Sequence, residues 1–125
     1  MKKVLVIGED KKFLRRLKWI AAAEGISPRR FRRTTAFPDD CPAGGCLLIL
    51  DEDYLGNQIV GAIGILRQFG YDIIFVAVPE KTAESLARYI RTEGPPLAQH
   101  VLNKDQPETP VGDKRLFRPI RERLR

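Results

Sequence analysis

The sequence predicts an α/β fold: a doubly wound sheet of five parallel strands with helices on both faces. Two observations carry it. Short apolar runs rich in β-branched residues alternate along the chain with longer stretches of helical period. Those apolar runs also lack polar alternation, as strands covered on both faces require.

The elements follow in order. "KKVLVI" reads as the first strand. From Asp10 the period changes: Phe13, Leu14, Leu17, Ile20 and Ala21 fall on one face of an amphipathic helix, which Glu24-Gly25 closes. "ISPRRFRRTTAF" is a second strand with a basic surface. "PDDCPAGG" is too rich in proline and glycine for a regular helix, so the second helix is short or missing. "CLLIL" is the third strand and delivers Asp51. "NQIVGAIGILRQFG" places Ile59, Ile63 and Leu66 at helical spacing, weakened by Gly61 and Gly64 at about 1 kcal/mol each. "DIIFVAV" is the fourth strand. "PEKTAESLARYIRTEG" is a helix turning Ala83, Leu86, Ala87 and Ile90 inward and ending at Gly94. "AQHVLN" is the last strand, "DQPETPVG" a loop, and 113–125 a basic C-terminal helix. In that helix Pro119 is expected to make a kink or to mark the first turn of a shorter segment.

At 125 residues the chain reads as one domain, 1–125. No apolar run reaches bilayer length, and the first one is too short for a signal peptide, so a cytoplasmic protein without membrane contact is expected. Cys41 and Cys46, in "CPAGGC", could ligate metal or close a small disulfide loop. With His100 as the sole histidine a zinc site lacks ligands, and two free thiols are the expectation. The net charge of +6 is concentrated in residues 11–33 and in the tail, which suits a polyanion or an acidic protein partner. No G-x-G-x-x-G follows the first strand, which argues against dinucleotide binding.

In parallel sheets the functional crevice lies beyond the carboxyl ends of the strands. The first strand ends at Gly8-Glu9-Asp10, the third at Asp51, the fourth near Val78 and the last near Lys104. Three acids and a lysine are thereby expected at one edge.

This order resembles the receiver domain of two-component response regulators, and hence the flavodoxin-like topology. The motifs that carry it are "VLVIGEDKKFLRRLKWIAAAEG", "LLILDED" and "VLNKD". The resemblance implies a non-enzymatic signalling module whose Asp51 accepts a phosphoryl group. It implies Mg²⁺ held by Glu9, Asp10, Asp51 and the Asp53 backbone carbonyl, and Lys104 pairing with the phosphoryl oxygens. The implied partners are a histidine kinase or phosphotransfer protein and a separate downstream protein. A second copy of the chain is a further candidate.

The departures from that family are specific. Gly8-Glu9 stands where two adjacent acids are usual, and Tyr54-Leu55 where a hydrophobic residue and proline are common. Ala77 or Val78 occupies the place of the switch hydroxyl. Val101, after His100, replaces the switch aromatic, and Asp105 replaces the proline after the lysine. A degenerate receiver that signals by protein contact fits this pattern. The alternative is a basic nucleic-acid-binding domain on the same fold, using Arg29, Arg30, Arg32 and Arg33 with Phe31 and Phe37.

Overall fold

A computed structural model describes residues 2–34, 45–51, 59–71, 73–93 and 100–124. The strands are β1 (Lys3–Ile7), β2 (Phe31–Thr34), β3 (Cys46–Asp51), β4 (Ile74–Val78) and β5 (His100–Asn103). The helices are α1 (Lys11–Ala23), α2 (Ile59–Gln68), α3 (Glu80–Glu93) and α4 (Pro110–Leu124), with a single 3₁₀ turn at Pro28–Arg30 before β2.

The five strands form one parallel sheet in the order β2-β1-β3-β4-β5, as a flavodoxin-like fold requires. Register is continuous across it: Val4 lies beside both Phe31 and Leu47, Leu50 beside Val76, and Val76 beside Val101. Successive side chains on a strand point to opposite faces, so each strand feeds two cores. Val4, Val6, Leu47, Ile49 and Phe75 meet Phe13, Leu17 and Ile20 of α1 and Leu116, Phe117 and Ile120 of α4. On the other face Leu5, Ile7, Leu48, Leu50, Ile74 and Val76 pack with Ile63 and Leu66 of α2, and with Ala83 and Leu86 of α3. This explains why the strand sequences are apolar throughout. Each fully buried Leu, Ile or Phe stabilises by about 1.5–3 kcal/mol.

Helix α1 is bounded as its sequence suggests. The Asp10 carboxylate accepts from Phe13 N at 3.0 Å, and Gly25, at φ 77°, permits the left-handed stop. Beyond it Ile26 N donates to Ala21 O at 2.9 Å and Gly25 N to Ala22 O at 3.1 Å, which satisfies the last carbonyls.

One expectation is corrected at α4, and one alternative for Pro119 is removed. The helix begins at Pro110 and not after Gly112, so "PVG" belongs to it. Thr109 accepts from Gly112 N at 3.1 Å and Pro110 takes the first helical position, where its missing N–H is not needed. Pro119 lies inside the helix. The buried side chains of Leu116, Phe117 and Ile120 on either side hold the helix against the sheet despite the lost hydrogen bond. A further correction concerns the thiols: Cys46 is disulfide-bonded and buried, and no described cysteine is free. Cys41, its only possible partner within the chain, lies outside the described residues, as does most of "PDDCPAGG".

Candidate functional site at the carboxyl edge of the sheet

Asp51 ends β3, the central strand, and its side chain is 0% exposed. Register places it beside Ala77 of β4. On the other side of β4, Lys104 directly follows β5, and its backbone N–H donates to Val78 O at 2.9 Å. That bond extends the parallel ladder by one step and fixes where the lysine stem departs. The stem carries Nζ to 3.1 Å from both Asp51 oxygens.

The same ammonium reaches Asp10 Oδ2 at 2.6 Å. Asp10 therefore has two duties: Oδ1 caps α1 and Oδ2 faces the lysine. Nζ also lies 5.4 Å from the centroid of the Phe13 ring, a cation–π contact. The lysine side chain is 14% exposed and that of Asp10 24%, so the triad is mostly shielded from water.

The electrostatics follow from this geometry. Burial alone would lower the Lys104 pKa, but hydrogen bonds and charge attraction from Asp10 and Asp51 outweigh it and raise it above the ordinary 10.5. Burial alone would raise Asp10, but the Lys104 ammonium and the Phe13 N–H outweigh it and hold the carboxyl below 3.8. Lys104 therefore keeps its charge across the physiological range, as does Asp10.

Gly8 has a role that its residue type does not announce. A Cβ built there would collide with Asp51 Cβ. The backbone of Gly8 is held in place by Gly8 N donating to Thr34 O at 2.9 Å and by Arg33 Nη1 donating to Gly8 O at 3.1 Å. Asp51 occupies the space that a side chain at position 8 would need.

Of the residues expected at this edge, Asp10, Asp51 and Lys104 converge. Glu9 is exposed and makes none of these contacts, and Asp53, with Tyr54 and Leu55, lies outside the described residues. Ala77 and Val78 are fully buried, Val101 is half-buried, and His100 is exposed with its ring 5.8 Å from that of Phe75. Burial and the charges of nearby Arg123 hold the His100 imidazole below 6.5, against a smaller upward pull from Glu122. Asp105 has a task not read from the sequence: its Oδ2 accepts from Glu80 N at 2.9 Å, capping α3. A carboxylate one residue after the lysine and a helix start at Pro79-Glu80 were the only sequence signals for it.

The donor set fits a divalent cation poorly. Among the described residues no group of three His, Cys, Asp or Glu side chains is placed to hold a metal. The two carboxylates that do converge are already bridged by an ammonium.

The four arginines of "RRFRR" do not form one open surface. Arg30 donates to Lys2 O at 2.9 Å, Arg33 donates to Gly8 O, and Arg32 is also engaged. Phe31 is buried against Phe117, ring centroids 5.9 Å apart, and Phe37 lies outside the described residues. Comparison with family models, curated proteins and solved structures finds no match for the chain.

Proposed function

We propose that the chain is a degenerate receiver, a signalling module that works by contact with a separate protein, in which Asp51 is a structural carboxylate. The observation that carries this reading is the position of Lys104 Nζ, 3.1 Å from both oxygens of a fully buried Asp51 and 2.6 Å from Asp10. The acceptor oxygens are spoken for, and the lysine supplies the positive charge that a metal ion would otherwise bring.

The surroundings support the same reading. A phosphoryl group adds about −1.5 to −2 charge and new acceptor oxygens. Beside Asp51 stands Ala77, with Val78 next along β4, and neither has a hydroxyl to meet them. A ligand shifts a conformational equilibrium only through different affinities for its two states. Without that hydroxyl, phosphorylation has little to act upon. The output then depends on the folded surface and on a protein that reads it.

The second reading is an active receiver, taking a phosphoryl group from a histidine kinase or phosphotransfer protein onto Asp51. The convergence of Asp10, Asp51 and Lys104 itself favours it. On that reading a Mg²⁺ ion, as the receiver resemblance implies, would have to displace the Lys104 ammonium from the Asp10 and Asp51 carboxylates. Titration with beryllofluoride and Mg²⁺, followed by amide NMR, separates the two. The degenerate receiver gives no saturable shifts around Asp51 and Lys104. Saturable shifts that disappear in Asp51→Asn would establish the active one.

A further inference from the structure

On the face opposite α2 and α3, one aromatic residue stands apart from the core. Trp19 of α1 is 78% exposed, although the same helix buries Phe13, Leu17 and Ile20. It borders two cavities between α1 and the start of α4. One, of about 450 Å³, is also lined by Lys12, Arg15 and Glu108; the other, of about 310 Å³, by Lys114.

Around the indole, among the described residues, the unpaired cations outnumber the unpaired acids. Helix α1 carries five basic residues and no acidic one. Arg16 is committed to Asp113, Nε at 3.1 Å and Nη2 at 3.0 Å, and also donates to Pro107 O at 2.8 Å. Arg121 is likewise paired with Glu24 at 2.8 Å. Those pairs build the walls and cancel the acids in them, leaving Glu108 as the opposing charge. Lys12, Arg15 and Lys114 make no ion pair among the described residues.

We propose that Trp19 with Lys12, Arg15 and Lys114 forms a binding site for nucleotides, in which a base stacks on the indole and the flanking phosphates meet the cations. An exposed indole bracketed by cations is how single-stranded nucleic acid is held without sequence preference, because every base offers a π face. Lys12 and Arg15 line one of the cavities that Trp19 borders and Lys114 the other, so a base on the indole would have a cation in each cavity for its flanking phosphates. A helix surface offers no unpaired backbone groups, which an extended peptide would need. The site is separate from the Asp51 edge and from the "RRFRR" arginines, so it stands independently of the reading given above.

Trp19 is the only tryptophan in the chain, so its emission reports the site directly. The 125-residue chain is titrated with oligo(dT) decamer, thymidine monophosphate and a poly-glutamate peptide of equal charge, at low and at moderate salt. The decamer is expected to quench the emission, with log affinity falling by about 0.7 per phosphate contact against log salt. By anisotropy of a labelled decamer, Trp19→Ala weakens binding by about tenfold or more, a loss in the range of one stacked base. Lys12→Ala/Arg15→Ala reduces the salt slope, while Arg29→Ala/Arg32→Ala leaves affinity within about twofold. Tighter binding of the decamer than of the monophosphate assigns the site to strands. Equal binding of the two assigns it to free nucleotides. Absence of quenching at low salt overturns the proposal, and so does peptide binding as tight as the decamer's or decamer binding unaffected by Trp19→Ala. Because Trp19 and the cations are exposed, unchanged circular dichroism will confirm that each variant is folded.

Discussion

Replacing Lys104 with methionine keeps most of the side-chain stem and removes the ammonium that bridges Asp51 and Asp10. At 3.1 Å and an effective dielectric constant of about 20, the attraction between unit charges is about 5 kcal/mol, much of it offset by desolvation of the two ions. Removing one partner leaves that desolvation uncompensated for the other, and Asp51 is fully buried. The expected loss is therefore about 3–5 kcal/mol, the range for breaking a buried pair. The partly exposed Asp10 contributes less of it, because water can solvate its freed oxygen. A domain of this size is stable by about 5–15 kcal/mol, so the variant loses a large share but can still fold. Urea denaturation followed by far-ultraviolet circular dichroism measures the loss, with an unchanged denaturant slope expected. The double variant Lys104→Met/Asp51→Asn removes the stranded charge and should recover part of the loss. A cost below about 1 kcal/mol for Lys104→Met would refute the reasoning, since a buried carboxylate cannot lose its counter-ion so cheaply.

Three further outcomes follow from neighbouring residues. Gly8→Ala drives a Cβ into Asp51 Cβ and should destabilise by about 1–3 kcal/mol or more in the same urea assay. Asp10→Asn keeps a good helix cap but loses the charge. The lowered Asp10 carboxyl contributes stability above pH 3.8 that is lost as pH falls through its folded value, so the gap between wild type and Asp10→Asn should close below about pH 4 in urea midpoints taken from about pH 2 to about pH 7. Gly61→Ala and Gly64→Ala meet open space and should each stabilise α2 by about 1 kcal/mol, read as an upward shift in thermal midpoint.

The sheet was legible because strands buried on both faces cannot hide their composition: "VLVI", "LLIL" and "IFVAV" are apolar without a break. The start of α1 was legible from Asp10 and its end from Gly25. The start of α4 was not. "TPVG" has the composition of a turn, and only the packing of Gly112, whose Cβ would meet Pro107 O, shows why a glycine sits in a first helical turn. Of the two places the sequence left open for Pro119, the start of the helix at Pro110 removes the first turn of a shorter one, and burial on either side offsets one missing hydrogen bond. At the site, strand-end logic brought Asp10, Asp51 and Lys104 together, since parallel strands must release their ends at one edge. It could not tell which of Glu9 and Asp10 turns inward. That choice depends on the cap of α1, which recruits Asp10 and leaves Glu9 outside. The closeness of Gly8 to Asp51 depends on the spacing of β1 and β3 and has no local signature. Trp19 was not singled out from the sequence, because the cavities that give it meaning arise only when α4 packs against α1.

The most direct measurement is the mass of Asp51 after exposure to a small phosphodonor. Acetyl phosphate and Mg²⁺ are added to the wild-type chain and to Asp51→Asn, and both are read by intact and peptide mass spectrometry under conditions that preserve acyl phosphates. If Lys104 holds Asp51 as a structural carboxylate, wild type gains no more phosphoryl than the variant. Stoichiometric phosphorylation at Asp51, absent from the variant, would contradict it and make the chain a working phosphoacceptor.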